Sequence, residues 1–406
     1  MIYLDANAAS QTRRCVTDGA VALLVGGKLR GNASSIHAAG RELRTYLEQA
    51  RIKVAQFVSG NVGTPLEIIF TSGGTEACNT IVSGFLPRNG GHIVCSAIEH
   101  LAVGEACESE RSRGRELSLV FPEKSGVVSV EAMVREVRAD TVLVTLMVAN
   151  NETGALQPVR ELATRLRRDG YSGAIVSDAT QAFGKTEFSA DDLFHAGVDA
   201  LALSGHKLGA FAGVGAILLS SCNKERQSCR TFSPLLRGGP QESGRRGGSE
   251  NVLACWSLGA VCAELQGNLG HECKRIRQLR EMLWETLSEN ISGIFRLTPF
   301  DCDDEVRALS NTLLLRFTGC RADDLVIGFD LAGLCASTGS ACSSGKQGVS
   351  HVYRALGLSE QESREVVRFS LDWDSDEALI DRAAEIITST VERMREVNVT
   401  PTEVSL

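Results

Sequence analysis

No apolar run in this chain of 406 residues approaches the ~20 needed to cross a bilayer. Residues 141–149 have the length of a buried strand, and 252–265 is broken by Ser257, Gly259 and Glu264. The opening Met1-Ile2-Tyr3-Leu4-Asp5 has no basic stretch followed by an apolar one, so no secretory signal is expected. These absences predict a cytoplasmic protein with no membrane partner. Positive charge is also scarce: Lys+Arg number 42 against 50 Asp+Glu, a net charge of −8. That argues against direct nucleic-acid binding and against anionic membrane surfaces. There is no C-x-x-C pair and no Cys/His cluster at zinc spacing, so no metal site is expected. The 13 cysteines are odd in number and scattered, unlike a disulfide framework. Most of them read as small core residues. Internal repeats and low-complexity segments are absent.

What is present is an ordinary globular composition, 43% hydrophobic and 23% charged. At roughly 100–200 residues per domain, the length suggests two or three domains. Between residues 60 and 220, β-rich runs at 67–71, 92–96, 117–121, 141–148, 174–177, 199–203 and 214–219 alternate with helical patterns such as 159–168. Such alternation predicts an α/β fold with a large, mainly parallel sheet covered on both faces. Ligands of such sheets bind at the carboxyl ends of strands. A glycine-rich stretch, 238–248, precedes a helix near Asn251, and a long polar helix is expected at about 271–288. Two later β-like runs, 311–317 and 366–371, predict a smaller α+β domain from about residue 262. The first 15 residues fit either unit.

Candidate chemistry gathers where strands end. Ser204-Gly205-His206-Lys207 follows the run 199–203. A lysine held in a cleft there loses hydration, which disfavours its charged form and suits it to Schiff-base chemistry. An ordinary surface lysine in a turn is the plainer reading. Asp178-Ala179-Thr180-Gln181 follows 174–177 on the same sheet edge. Asp178 can hold the pyridinium nitrogen of pyridoxal phosphate, or simply cap a helix. Thr71-Ser72-Gly73-Gly74-Thr75-Glu76 joins a strand to a helix, and free N–H groups at a helix start bind phosphate. Glu99-His100 follows 92–96, where an imidazole can stack on a ring and move protons. Asn150-Asn151-Glu152-Thr153-Gly154 follows 141–148, where an amide can bond a ring oxygen.

Taken together, these segments resemble the cysteine desulfurases of the NifS/IscS type, within the class V aminotransferase family and the fold-type-I pyridoxal-phosphate enzymes. Further matching segments are Tyr3-Leu4-Asp5-Ala6-Asn7, Gly31-Asn32-Ala33-Ser34-Ser35-Ile36-His37, 244–251, Gly339-Ser340-Ala341-Cys342, Arg354-Ala355-Leu356-Gly357-Leu358 and Arg368-Phe369-Ser370. The likeness runs from about residue 2 to about 395. It implies a large cofactor domain over 16–261 and a small domain from 1–15 plus 262–406. The small domain would carry a mobile catalytic loop.

The resemblance also implies roles. Lys207 would tether pyridoxal 5'-phosphate, Asp178 would pair with its ring nitrogen, and His100 would stack on the ring and serve in acid–base steps. Gln181 and Asn151 would bond the ring oxygen or the substrate. Gly74, Thr75, Ser204 and His206 would hold the phosphate. Ser249 would reach the phosphate from a partner subunit, implying a homodimer. Asn32 and Arg368 would bind the carboxylate of L-cysteine, Arg368 through a bidentate fork. Cys342, in a small, polar, glycine-rich setting, would take the sulfur as a persulfide and release alanine. The long segment between Cys342 and Arg354 would favour direct delivery to an acceptor, an iron–sulfur scaffold or a sulfur-carrier protein.

Four places depart from the family pattern. Gly209-Ala210-Phe211-Ala212-Gly213 stands for Tyr-Gly-Pro-Lys-Gly, Asp372-Trp373 for Gly-Arg, Ala33 for proline, and Ser10-Gln11 for Thr-Pro. None removes a catalytic group. Two other activities stay open on sequence alone: a selenocysteine lyase or related β-eliminating lyase, and a catalytically weak partner regulating a sulfur-transfer complex.

Overall fold

A computed structural model of the chain describes residues 1–59, 66–220, 232–301, 307–339 and 349–399. A short strand, β1 (Ile2–Tyr3), opens the chain. The next seven form one sheet: β2 (Leu66–Thr71), β3 (His92–Ser96), β4 (Glu116–Val120), β5 (Thr141–Thr145), β6 (Ala174–Asp178), β7 (Ala200–Ser204) and β8 (Gly215–Ser220). Their spatial order is β2-β8-β7-β6-β5-β3-β4. From β7 to β4 every pairing is parallel, and β8 runs against both of its neighbours.

Both faces of this sheet are buried, as runs without polar alternation require. In β7, Leu201 and Leu203 join one apolar layer while Ala200 and Ala202 join the opposite one. The first layer packs under the helices Ala38–Ser59 and Val252–Leu265. The two helices approach closely because Gly259 faces Ala50, where a Cβ would sit 2.7 Å from the Ala50 Cα. The second layer packs under the helices Gly74–Gly84 and Leu101–Ser112. Local chemistry sets the helix ends. Asn251 Oδ1 accepts from Ala254 N at 3.2 Å, and Ser129 accepts from Ala132 N at 3.4 Å. Gly197, with φ 117°, closes the helix Ala190–Ala196 in a left-handed conformation.

A second sheet holds β9 (Ile294–Arg296), β10 (Thr312–Phe317), β12 (Ser337–Thr338) and β13 (Val366–Ser370), in the order β12-β13-β10-β9 and all antiparallel. It packs against the helices Leu269–Asn290 and Glu377–Val399 around Leu313, Leu315, Phe317, Val367 and Phe369. β1 pairs with β11 (Leu334–Cys335). The N-terminal segment joins both units: Ala6 N donates to Ser370 O, whereas Ser10 N and Arg13 N donate to His206 O and Gly209 O.

The expected strand at 141–148 stops at Thr145. The reason is a side chain: the Met147 N–H goes to the Glu99 carboxyl at 2.7 Å instead of to a neighbouring strand. Beyond Thr145, Val148 N still donates to Asp178 O at 2.9 Å, which keeps the segment beside the end of β6.

Candidate active site

The carboxyl ends of β2, β6 and β7, with the segments following β3 and β5, open into one cavity of about 400 Å³. Lining it are Gly74, Thr75, His100, Asn151, Asp178, Gln181, Ser204, His206, Lys207 and Arg368. Ten of the expected site residues therefore meet across more than 290 positions of chain. Asn32 and Ser249 do not line it. Both are exposed, and Asn32 Nδ2 lies 3.4 Å from Ser249 Oγ. Cys342 lies outside the described residues.

Lys207 ends a short 3-10 turn, Gly205–Lys207, directly after β7. Its Nζ donates to Asn7 O at 2.7 Å and to Ala8 O at 2.8 Å, which aims the amine. His206 Nδ1 lies 3.0 Å from Ser204 Oγ, and burial beside Lys207 and Lys185 pushes its pKa down to about 4. That imidazole is neutral at physiological pH. His100 caps its own helix, its Nδ1 accepting from Ala102 N at 3.1 Å. Burial lowers its pKa, so the neutral ring keeps its proton on Nε2. Asp178 is buried at the end of β6, one oxygen accepting from Thr180 N at 2.8 Å.

At the other end of the cavity the turn before the helix Gly74–Gly84 forms a cradle. A Cβ on Gly74 would meet Ser204 Cβ at 3.1 Å and Thr180 Oγ1 at 3.2 Å. Thr180 Oγ1 is buried with no hydrogen-bond partner among the described residues. A buried hydroxyl left so costs about 1–3 kcal/mol, so an acceptor in the cradle is favoured. The helix start, Thr180 and Ser204 suit a phosphate. The buried Asp178 suits a protonated ring nitrogen. The residues present therefore fit pyridoxal phosphate. Sequence reasoning passed over Thr180, although it stands inside the Asp178–Gln181 motif.

The cradle depends on another glycine. Gly215, the first residue of β8, sits under the turn, and a Cβ there would lie 2.5 Å from Gly73 C and 2.7 Å from Leu203 O. Both contacts are backbone and cannot rotate away. Gly215→Ala is expected to cost about 1–3 kcal/mol through overpacking, read by denaturant unfolding, with the Gly73–Thr75 turn displaced.

Arg368 is buried on β13. Its Nη1 donates to Asn151 O at 3.0 Å and its Nη2 to Asp5 Oδ1 at 2.8 Å. Its Nε is buried without a partner among the described residues. Each terminal nitrogen keeps a second N–H, and Nε–H has no partner among the described residues, so a fork toward a carboxylate needs neither bond to be exchanged. Two departures from the family pattern turn out to be partners. Asp372 accepts from Ser10 Oγ and from Gln11 N, each at 2.6 Å. A proline at position 11 would have no N–H to give. Arg246, within the glycine-rich stretch 238–248, bonds Glu76 at 2.9 and 3.1 Å and neutralises it beside the cradle.

Glu99, behind His100, is fully enclosed. Its Oε1 accepts from Ser96 Oγ at 2.8 Å and from Met147 N, while Oε2 has no partner among the described residues. Burial first, and the nearby Asp178 charge second, push its pKa up to about 8. The folded state therefore holds a proton that the unfolded chain, at about 4.5, releases. A raised carboxyl contributes stability below the unfolded pKa that is lost as pH climbs to the folded one. In Glu99→Gln that slope disappears. The variant is expected to gain on the parent by about 1.4 kcal/mol per pH unit between roughly pH 5 and 8, and to level off above. Other titrating groups, Lys185 and Glu152 included, cancel in the difference. Denaturant unfolding of both proteins across that range is the check.

With this geometry in hand, comparison with known proteins is informative. The Aminotransferase class-V family profile matches residues 2–382. Cysteine desulfurase IscS 1 of Archaeoglobus fulgidus is 32% identical, covering 90% of this chain and 91% of that protein. A cysteine desulfurase of Nostoc sp. is 34% identical, over 97% and 94%. A solved NifS-like protein superposes with a TM-score of 0.85 at 28% identity, over 97% of this chain and 99% of that one. The chain belongs to the class-V aminotransferase family, in the group of these NifS- and IscS-type proteins. No helix among the described residues is long and apolar enough to cross a membrane.

Proposed function

We propose that this chain is a pyridoxal-phosphate-dependent cysteine desulfurase. The observation that carries the reading is the cavity itself. It sets a lysine, a buried aspartate, a neutral histidine and an anion cradle with an unpartnered threonine hydroxyl around one space. Gly74, Thr75, Thr180, Ser204 and His206 hold the phosphate, Asp178 the ring nitrogen, and Gln181 and Asn151 the ring oxygen or the substrate. Bound there, the cofactor supplies an electron sink for charge that develops at the substrate Cα.

The remaining work falls to the chain. Lys207 tethers the cofactor and, once displaced by the substrate amine, moves the Cα proton. His100 offers its Nε2 proton to the reacting face. Arg368 and Asn32 bind the substrate carboxylate. The Cys342 thiolate attacks the substrate sulfur, so the Cβ–S bond breaks and an S–S bond forms. Protonation at Cβ, with the Cα proton returned by Lys207, then gives alanine and leaves a persulfide on Cys342. The sulfur passes to an acceptor protein, an iron–sulfur scaffold or a sulfur carrier. Ser249 acts across a homodimer, which agrees with its position outside the cavity of its own protomer. The working compartment is the cytoplasm.

The test uses the purified protein with added pyridoxal phosphate. Visible absorbance and one alanine released per persulfide formed from L-cysteine support the reading. A colourless protein that refuses the cofactor overturns it. Faster turnover of selenocysteine than of cysteine would make it a selenocysteine lyase instead.

A further inference from the structure

Behind Lys207 lies a second lysine. Lys185 is buried, and its Nζ donates to two amide oxygens, Gln181 Oε1 at 2.7 Å and Asn7 Oδ1 at 2.9 Å. Among the described residues it forms no ion pair. The charges nearest it are Lys207 and Arg368, which disfavour its protonation, and Asp372 and Asp5, which favour it. Burial with two cations so near is costly for an ammonium. Whatever its protonation, the group presents hydrogens to both oxygens.

Lys185 Nζ donates to the oxygen ends of both amides, so the nitrogen end of Gln181 is turned away from it, toward Asn7 O. Gln181 Nε2 donates one hydrogen to Asn7 O at 3.0 Å, and its second is left for the cavity that Gln181 lines. The same holds for Asn7. Its Oδ1 takes Lys185 and also Asn311 Nδ2 at 3.1 Å. Its Nδ2 then donates to Thr312 Oγ1 at 2.8 Å and to Asn151 O at 3.2 Å, and its main-chain oxygen receives Lys207.

We infer that Lys185 is a positioning residue: it locks the Gln181 amide with its N–H toward the cavity and pins Asn7, the residue whose carbonyl aims Lys207. The inference rests on the proposed cofactor, whose ring oxygen would accept the Gln181 N–H. Without Lys185, Gln181 Oε1 is buried and unsatisfied, and the amide turns to find a donor.

The test is a double-mutant cycle read by binding of pyridoxal phosphate to the unloaded protein, followed by absorbance. Lys185→Met is expected to weaken binding by about tenfold, the cost of a buried acceptor left without its donor. In a Gln181→Leu background the same substitution is expected to cost several-fold less than in the parent, because only the bond to Asn7, whose Oδ1 keeps Asn311 Nδ2, is then lost. Equal cost in both backgrounds, or none in the parent, overturns the inference. Thermal unfolding of the unloaded variants reports folding separately. Should Lys185→Met fail to fold, Gln181→Glu keeps the bond to Lys185 but removes the N–H. It is expected to bind as weakly as Gln181→Leu, and parent-like binding would sink the proposal. Failure of the parent to bind the cofactor would instead reject the reading of function.

Discussion

Lys207→Ala is expected to lose alanine production from L-cysteine by at least about 10³-fold, since tether and Cα base are removed together. The protein should still fold, because Lys207 follows β7 and belongs to none of the apolar layers. Lys207→Arg should be equally inactive: a guanidinium keeps its proton and cannot serve as a base at neutral pH. Borohydride is expected to fix the cofactor onto the Lys207 peptide of the parent and to leave the alanine variant unlabelled. Mass spectrometry of the digested proteins reads this directly. A Lys207→Ala protein that still makes alanine at a tenth of the parent rate would remove Lys207 from its assigned role.

The charge arrangement explains why this lysine and not another is suited. Lys207 and Arg368 line the cavity with Asp178, while Lys185, Asp5 and Asp372 lie outside its lining. His100 and His206 are neutral, and burial keeps Glu99 protonated at neutral pH. The helix start at Gly74 and the Arg368 guanidinium, both on the cavity lining, suit a ligand with two anionic ends, which a phosphate at one and a substrate carboxylate at the other would provide. Two lysines share Asn7, one on its main-chain and one on its side-chain oxygen. Only Lys207 lines the cavity, whereas Lys185 is enclosed behind it.

How much of this was legible in the sequence follows from the range of each interaction. The strands were readable because runs such as Ala200–Ser204 are apolar on both faces and end in short polar motifs. Lys207, Asp178 and the Gly74 turn were readable for the same reason, since each immediately follows a strand. The Asn7–Lys185–Gln181 hub was not. Its bonds join positions 178 and 174 residues apart, and a further bond to Asn311 spans 304. A sequence shows that Lys185 stands among small and apolar neighbours, which hints at burial, but not which oxygens it meets. The early end of β5 was hidden likewise, because the Glu99 carboxyl that takes the Met147 N–H belongs to another strand–helix connection. Asp372 and Gln11 read as unrelated departures until the fold placed them at 2.6 Å.

Cys342→Ser is expected to keep the visible absorbance of bound cofactor and to lose persulfide formation, with sulfide release from L-cysteine falling by at least about 10²-fold. The argument begins with the other thiols. A thiolate, not a thiol, is the nucleophile, and burial in apolar surroundings opposes it. Of the 13 cysteines, nine are described, and seven of those are buried. Burial raises the pKa of Cys78, Cys255 and Cys262 and pushes Cys273 up to about 11, while the hydrogen bond with Cys107, then burial, raises that of Cys95. Half-buried Cys15 is pushed up to about 12 by desolvation and the Glu264 carboxylate. Cys335 is half-buried, its backbone in the short pairing of β11 with β1. None of the six with raised values is a ready thiolate at neutral pH. Four cysteines lie outside the described residues: Cys222, Cys229, Cys302 and Cys342. Among these four the resemblance singles out Cys342. Serine at each of these positions in turn, with intact-mass detection of the added sulfur, separates them. Loss confined to Cys342→Ser is the expected outcome. If that variant still gains the sulfur at the parent rate, the acceptor thiol is another cysteine.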